Sequence, residues 1–154
     1  MECVVASRAP KSYSKQRADL QLVNMNLARI GIEFVMEFEK KQGREPLDVS
    51  RQRRFVGFDV ISVDKHGTDH RTIEVKTTEH RGIPDAFENE FTRQLRFVAT
   101  HLYVVYVKGE TKRLHVIPKK EIDRFADKHI STQHVRFASA LMTKMKKGEF
   151  EVKV

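Results

Sequence analysis

Leu20, Val23, Leu27, Ile30, Phe34 and Phe38 recur three and four residues apart. That spacing draws one apolar stripe and predicts a helix over residues 16–42. Gly43 follows the stripe as a natural stop. Gly31 lies inside it, either for close packing or as a break into two helices. Beyond Gly43 the pattern changes. LDV at residues 47–49 predicts a short strand, FDVISV at residues 58–63 a second and RTIEVKT at residues 71–77 a third. Residues 64–69, centred on Gly67, read as a turn, so the second and third strands form an antiparallel hairpin.

Residues 78–87 are polar, contain Gly82 and Pro84, and read as a loop. Phe91, Leu95 and Val98 have helical spacing and predict a helix over residues 88–100. LYVVYV, residues 102–107, is the most continuous apolar run, as expected of a central strand covered on both faces. Gly109 turns the chain into a further strand over residues 113–117. Pro118 leads to a short helix over residues 121–128, and the closing FEVKV alternates like an edge strand. The order helix, three strands, helix, strand, strand, helix indicates a mixed α/β layered fold. It reads as a single domain over residues 16–154 behind a basic flexible arm, residues 1–15.

The 154 residues suit one domain with one core. An apolar fraction of 40% and a charged fraction of 32% fit a globular chain. A single cysteine, Cys3, excludes an internal disulfide framework. No apolar run reaches the length of a membrane span, and the four-residue apolar patch near the start is too short for a signal peptide. The expectation is an intracellular protein, cytoplasmic or nucleoid-associated. The formal charge of +8 favours solubility and, more specifically, a polyanion such as DNA. Arg51, Arg53 and Arg54 stand just before the second strand, as an exposed connection or as phosphate contacts. None of the seven histidines forms a tight pair with the cysteine, which argues against a structural zinc.

Charge inside the two clearest strands is the anomaly. Side chains alternate across a strand, so Thr72, Glu74 and Lys76 share one face and Ile73 and Val75 the other. Alone, that is an ordinary wet face. Asp59, however, interrupts a run that looks buried on both sides, and a buried carboxylate needs a partner or a metal. The hairpin can bring Asp59 beside Glu74, about 5 Å apart on adjacent strands. Two carboxylates that close repel unless a cation lies between them. Mg²⁺ suits the place because it binds through one or two carboxylates plus substrate phosphate. Lys76 could hold an attacking water or balance charge on a phosphate.

G-F-D followed by I-E-V-K resembles the D…(D/E)-x-K signature of the PD-(D/E)xK nuclease superfamily. Gly57 and Phe58 stand where its name places a proline. GIEFVMEFEKKQGREP, GFDVISVD, IEVKTT and NEF together resemble the NO VEIN C-terminal domain family, over roughly residues 26–118. The resemblance implies a restriction-endonuclease-like core, a mixed central sheet in α-β-β-β-α-β order flanked by helices. It implies a divalent-metal-dependent phosphodiesterase, a restriction- or repair-type DNA endonuclease. Asp59 and Glu74 would bind Mg²⁺ or Mn²⁺, and Lys76 would be the catalytic lysine. Glu33 matches the family's helical acidic residue, a further ligand or an exposed helix residue. Asn89 and Glu90 match its N-E pair, with Asn89 suited to capping a helix. A homodimer and a separate helicase or ATPase partner are expected by analogy. The alternative is a catalytically silent module of the same fold that binds nucleic acid or protein.

Overall fold

Helix α1 (Lys11–Lys41) runs unbroken for 31 residues in a computed structural model that describes residues 11–52, 57–79, 99–126 and 139–154. It begins earlier than its stripe predicts, inside the expected arm, whose first ten residues lie outside the described ones. Lys40 and Lys41 fill its last turn, where cations suit the helix dipole. Gly43 ends it at a left-handed φ of 75° that glycine adopts freely. Gly31 does not break the helix. A Cβ there would lie 1.8 Å from Thr77 Oγ1 on the sheet below. The glycine is thus a close-packing position, and its Cα–H points at a buried hydroxyl that has no hydrogen-bond partner among the described residues.

Six strands follow: β1 (Arg44–Asp48), β2 (Val60–Asp64), β3 (His70–Thr78), β4 (His101–Lys108), β5 (Thr111–Pro118) and β6 (Glu151–Val152). They pair in sequence order in one sheet. Every pairing is antiparallel except β3 with β4, which is parallel. Helix α2 (Lys119–Ala126) follows β5, and α3 (Ser139–Lys146) precedes β6. The expected hairpin is present, with Val60 opposite Ile73 and Val63 opposite His70. FEVKV does supply an edge strand, on β5. The helix expected over residues 88–100 lies outside the described residues apart from Ala99 and Thr100, which bend into β4. Among the described residues, no helix is long and apolar enough to cross a membrane.

One sheet face meets the second half of α1. Val35 and Phe38 pack there with Val60, Ile73, Val75, Tyr103, Val105, Val107 and Leu114. Leu102, Val104 and Ile117 alternate to the other face and are also buried, as is Ile122 of α2. LYVVYV is therefore apolar throughout because both of its faces are covered. The apolar stripe of α1 overruns the sheet, however. Leu20 and Val23, the first two positions of that stripe, are 63% and 58% exposed. Packing begins at Leu27.

A carboxylate is fully buried at this helix–sheet contact. Glu39 accepts hydrogen bonds from Ser62 Oγ (2.6 Å), Arg71 Nη1 (3.2 Å) and the Tyr103 hydroxyl, and Arg44 Nε lies 2.9 Å from it. Arg44 also donates to the Ser62 carbonyl and to Asp69. Burial, and then Glu39, push the Tyr103 phenol's pKa up. The hairpin turn has its own polar fastening. The Asp64 carboxylate accepts the backbone N–H groups of Thr68 (2.6 Å) and Asp69 (2.7 Å), beside Gly67 at φ 68°.

Gly31→Ala is expected to lower stability by about 1–3 kcal/mol through overpacking, despite alanine's higher helix propensity. Urea denaturation measures it, and adding Thr77→Ala should recover most of the loss. Glu39→Ala is expected to lose about 3–5 kcal/mol in the same assay, because it strands buried guanidinium groups. The N–H of Asp69, first among the donors to Asp64, holds its pKa near 2, against 3.8 unperturbed. A depressed folded pKa stabilises above the unfolded value and is lost as pH falls through the folded one. The Tm gap between the wild type and Asp64→Asn should therefore shrink from pH 3.8 to about 2, as followed by circular dichroism.

Candidate functional site

Glu74 and Lys76 lie two apart near the middle of β3, so their side chains share a face. Their parallel partners on β4 are Leu102 and Val104, while Ile73, Val75 and Thr77 turn toward α1. The pair thus sits on the face opposite α1. The Lys76 ammonium lies 2.7 Å from Glu74 Oε1, with side chains only 16% and 11% exposed. This is an ion pair mostly withdrawn from water.

Asp59 reaches the same place by interrupting the ladder. The register sets Val60 opposite Ile73, yet the Asp59 N–H also bonds the Ile73 carbonyl (2.8 Å). Two residues of one strand face one of the other, which is a bulge that re-aims a side chain. Gly57, at φ 90°, lets the chain turn into this position. The Asp59 side chain then replaces the missing backbone acceptor: its Oδ2 accepts the Val75 N–H at 2.9 Å. Val75 is the residue between Glu74 and Lys76. The half-buried Asp59 carboxylate is therefore fastened to the backbone between Glu74 and Lys76.

The donor set suits a hard cation that keeps water ligands. Two carboxylates from adjacent strands meet that requirement, and Glu74 already holds one cation, the Lys76 ammonium. A closed structural site is a different matter. Among the described residues, no three or more His, Cys, Asp or Glu side chains are grouped to hold a metal.

The other sequence candidates are placed differently. Glu33 projects from the exposed side of α1, with its side chain 65% exposed and Arg29 3.8 Å away. Because α1 covers the opposite sheet face, Glu33 is not joined to Asp59, Glu74 and Lys76. Its match in the sequence reflects helix position, but the helix turns it to solvent. Arg51 is exposed in the turn after β1. The Val49 N–H bonds the Asp59 carbonyl (2.8 Å), so this turn stands at the Asp59 end of the sheet. Arg53, Arg54, Asn89 and Glu90 lie outside the described residues. His70 opens β3 beside the turn and bonds the Gly67 carbonyl, about 13 Å along the strand from Glu74.

Two features escaped the sequence reading. Glu39 occupies the i+4 position from Val35, itself i+4 from Gly31, so its place on the buried side was readable from spacing. His115 shares the Lys76 face, with Val104 between them in register. It is buried, and burial lowers its pKa. Only the apolar residues around it, Leu114 and Val116, signalled that in the sequence.

No curated protein and no solved structure matches the chain. The family described as Protein NO VEIN, C-terminal, matches residues 28–117, which hold β1 to β4, nearly all of β5, and the half of α1 that packs on them. Over more than half its length, with Asp59, Glu74 and Lys76 all inside the match, the chain belongs to the NO VEIN C-terminal domain family.

Proposed function

We propose that this domain is a divalent-metal-dependent phosphodiesterase that cleaves DNA, built on the restriction-endonuclease-like plan of the PD-(D/E)xK superfamily. The carrying observation is the convergence of Asp59 on the Val75 N–H, between a buried Glu74 and Lys76. Asp59 and Glu74 would hold Mg²⁺ or Mn²⁺. That ion, when bound, lowers the pKa of an attacking water and offsets phosphate charge. The chain's own residues do the rest. The bulge and the Val75 N–H fix the direction of the Asp59 carboxylate. The rigid centre of β3 fixes Glu74. Lys76 brings a positive charge and three donors to the same face, where it orients a water or steadies a phosphate oxygen. The net charge of +8 and the exposed Arg51 at the Asp59 end supply attraction for a polyanion.

A second reading keeps the fold and drops the chemistry: a silent module that binds nucleic acid or a protein partner. The ammonium already seated on Glu74 favours it, since that carboxylate is charge-compensated without any metal.

The deciding experiment incubates supercoiled, linear and single-stranded DNA with the protein, with and without Mn²⁺. Metal-dependent cutting is expected, and Asp59→Asn should reduce it by about 10²-fold or more, the scale of losing one charge-stabilising group. Asparagine retains an acceptor for the Val75 N–H, so the fold should survive. Cutting by Asp59→Asn and Lys76→Ala undiminished from the wild type would overturn the assignment. Metal-independent binding without cutting by the wild type would establish the second reading. In salt titrations of DNA binding, Arg51→Ala should lower the slope of log K against log salt by about one.

A further inference from the structure

Lys76 and Glu74 meet on one face of β3. Residues i and i+2 of a strand stand about 6.6 Å apart, and the two side chains close that gap to set the Lys76 ammonium 2.7 Å from Glu74 Oε1. Both side chains are largely shielded from water, so the contact is a desolvated pair rather than a loose surface bridge. Glu74 oxygens are also what a hard divalent cation would seek. An ammonium and a divalent ion on one carboxylate oxygen repel each other, and the lysine is the member with a flexible stem.

We infer that Lys76 is an internal placeholder cation on Glu74, displaced when a divalent ion binds and thereby released toward the substrate. The inference rests on the proposed metal-dependent reading. It adds an order of events: the lysine becomes available for a phosphate or a water only after the ion has taken its carboxylate. Without metal, the same lysine keeps a buried Glu74 charge-compensated. Metal affinity is thus set partly by a competitor within the chain, two residues away.

The test is Mn²⁺ binding without DNA, by titration calorimetry on folded wild-type protein, Lys76→Met and Lys76→Gln. Glutamine keeps an N–H donor for Glu74 while removing the charge, so it serves if the methionine variant fails to fold. Either variant should bind Mn²⁺ about tenfold more tightly, a change of one decade in Kd. The gain should persist at about 1 M salt, where the Debye length is roughly 3 Å and a distant charge is screened. Unchanged or weaker binding by the variants, beside a wild type that binds, overturns the placeholder and leaves the proposed function standing. A gain that vanishes at high salt also overturns it, since a general field rather than a shared carboxylate would then be at work. Binding by neither wild type nor variants removes both this inference and the metal-dependent reading.

Discussion

The buried Glu39 carboxylate is the constraint from which the rest of the arrangement follows. A charge with no exposure must be met on every side, and Ser62, Arg44, Arg71 and Tyr103 meet it from β1, β2, β3 and β4. These partners come from four adjacent strands, so the contact holds only in one register. A slip by one residue would turn every side chain of a strand to its other face. Glu74 and Lys76 would then point into the packing beneath α1. The polar fastening on one face thus determines which residues appear on the other.

Asp59 joins architecture and chemistry in one side chain. Its carboxylate occupies the position of a backbone carbonyl and closes the β2–β3 ladder at the Val75 N–H. The bulge that makes this necessary also brings a second carboxylate toward Glu74. The structural role of Asp59 and its proposed chemical role are therefore coupled in any mutation at this residue. Asparagine is the substitution that keeps the acceptor and changes the charge. Glu74 and Lys76 show the same coupling, because each supplies the counter-charge that makes the other's burial tolerable.

Much of this was legible in the sequence where alternation and turn chemistry agreed. The Val60–Ile73 hairpin, the doubly covered LYVVYV strand and the edge strand at Glu151 all announced themselves this way. That Asp59, Glu74 and Lys76 need polar partners was readable because charge stood where a strand should have been apolar, and the partners found are the Val75 N–H for Asp59 and each other for Glu74 and Lys76. What escaped depended on tertiary partners. Periodicity reports which helix side is apolar and not how far the sheet beneath it extends, so the exposure of Leu20 and Val23 was not legible. Val60, rather than Phe58, begins β2 because a side chain takes over from the backbone at Asp59, and propensity carries no trace of that. Glu33 and Glu39 look alike as helical acids. Only the 35-to-39 spacing tells the exposed one from the buried one. The contact between Lys76 and Glu74 is a matter of rotamers that no sequence pattern encodes.

The overrun of α1 divides a single helix into two regimes of local stability. From Leu27 onward, sheet packing holds the backbone, and amides near Val35 open only with the whole domain. Ahead of Leu27, Leu20, Leu22, Val23 and Met25 are exposed, and the helix relies on its own backbone bonds. A segment of that length is marginal in water without packing. Its amides therefore exchange with solvent by local opening, and that opening stops where packing on the sheet begins at Leu27.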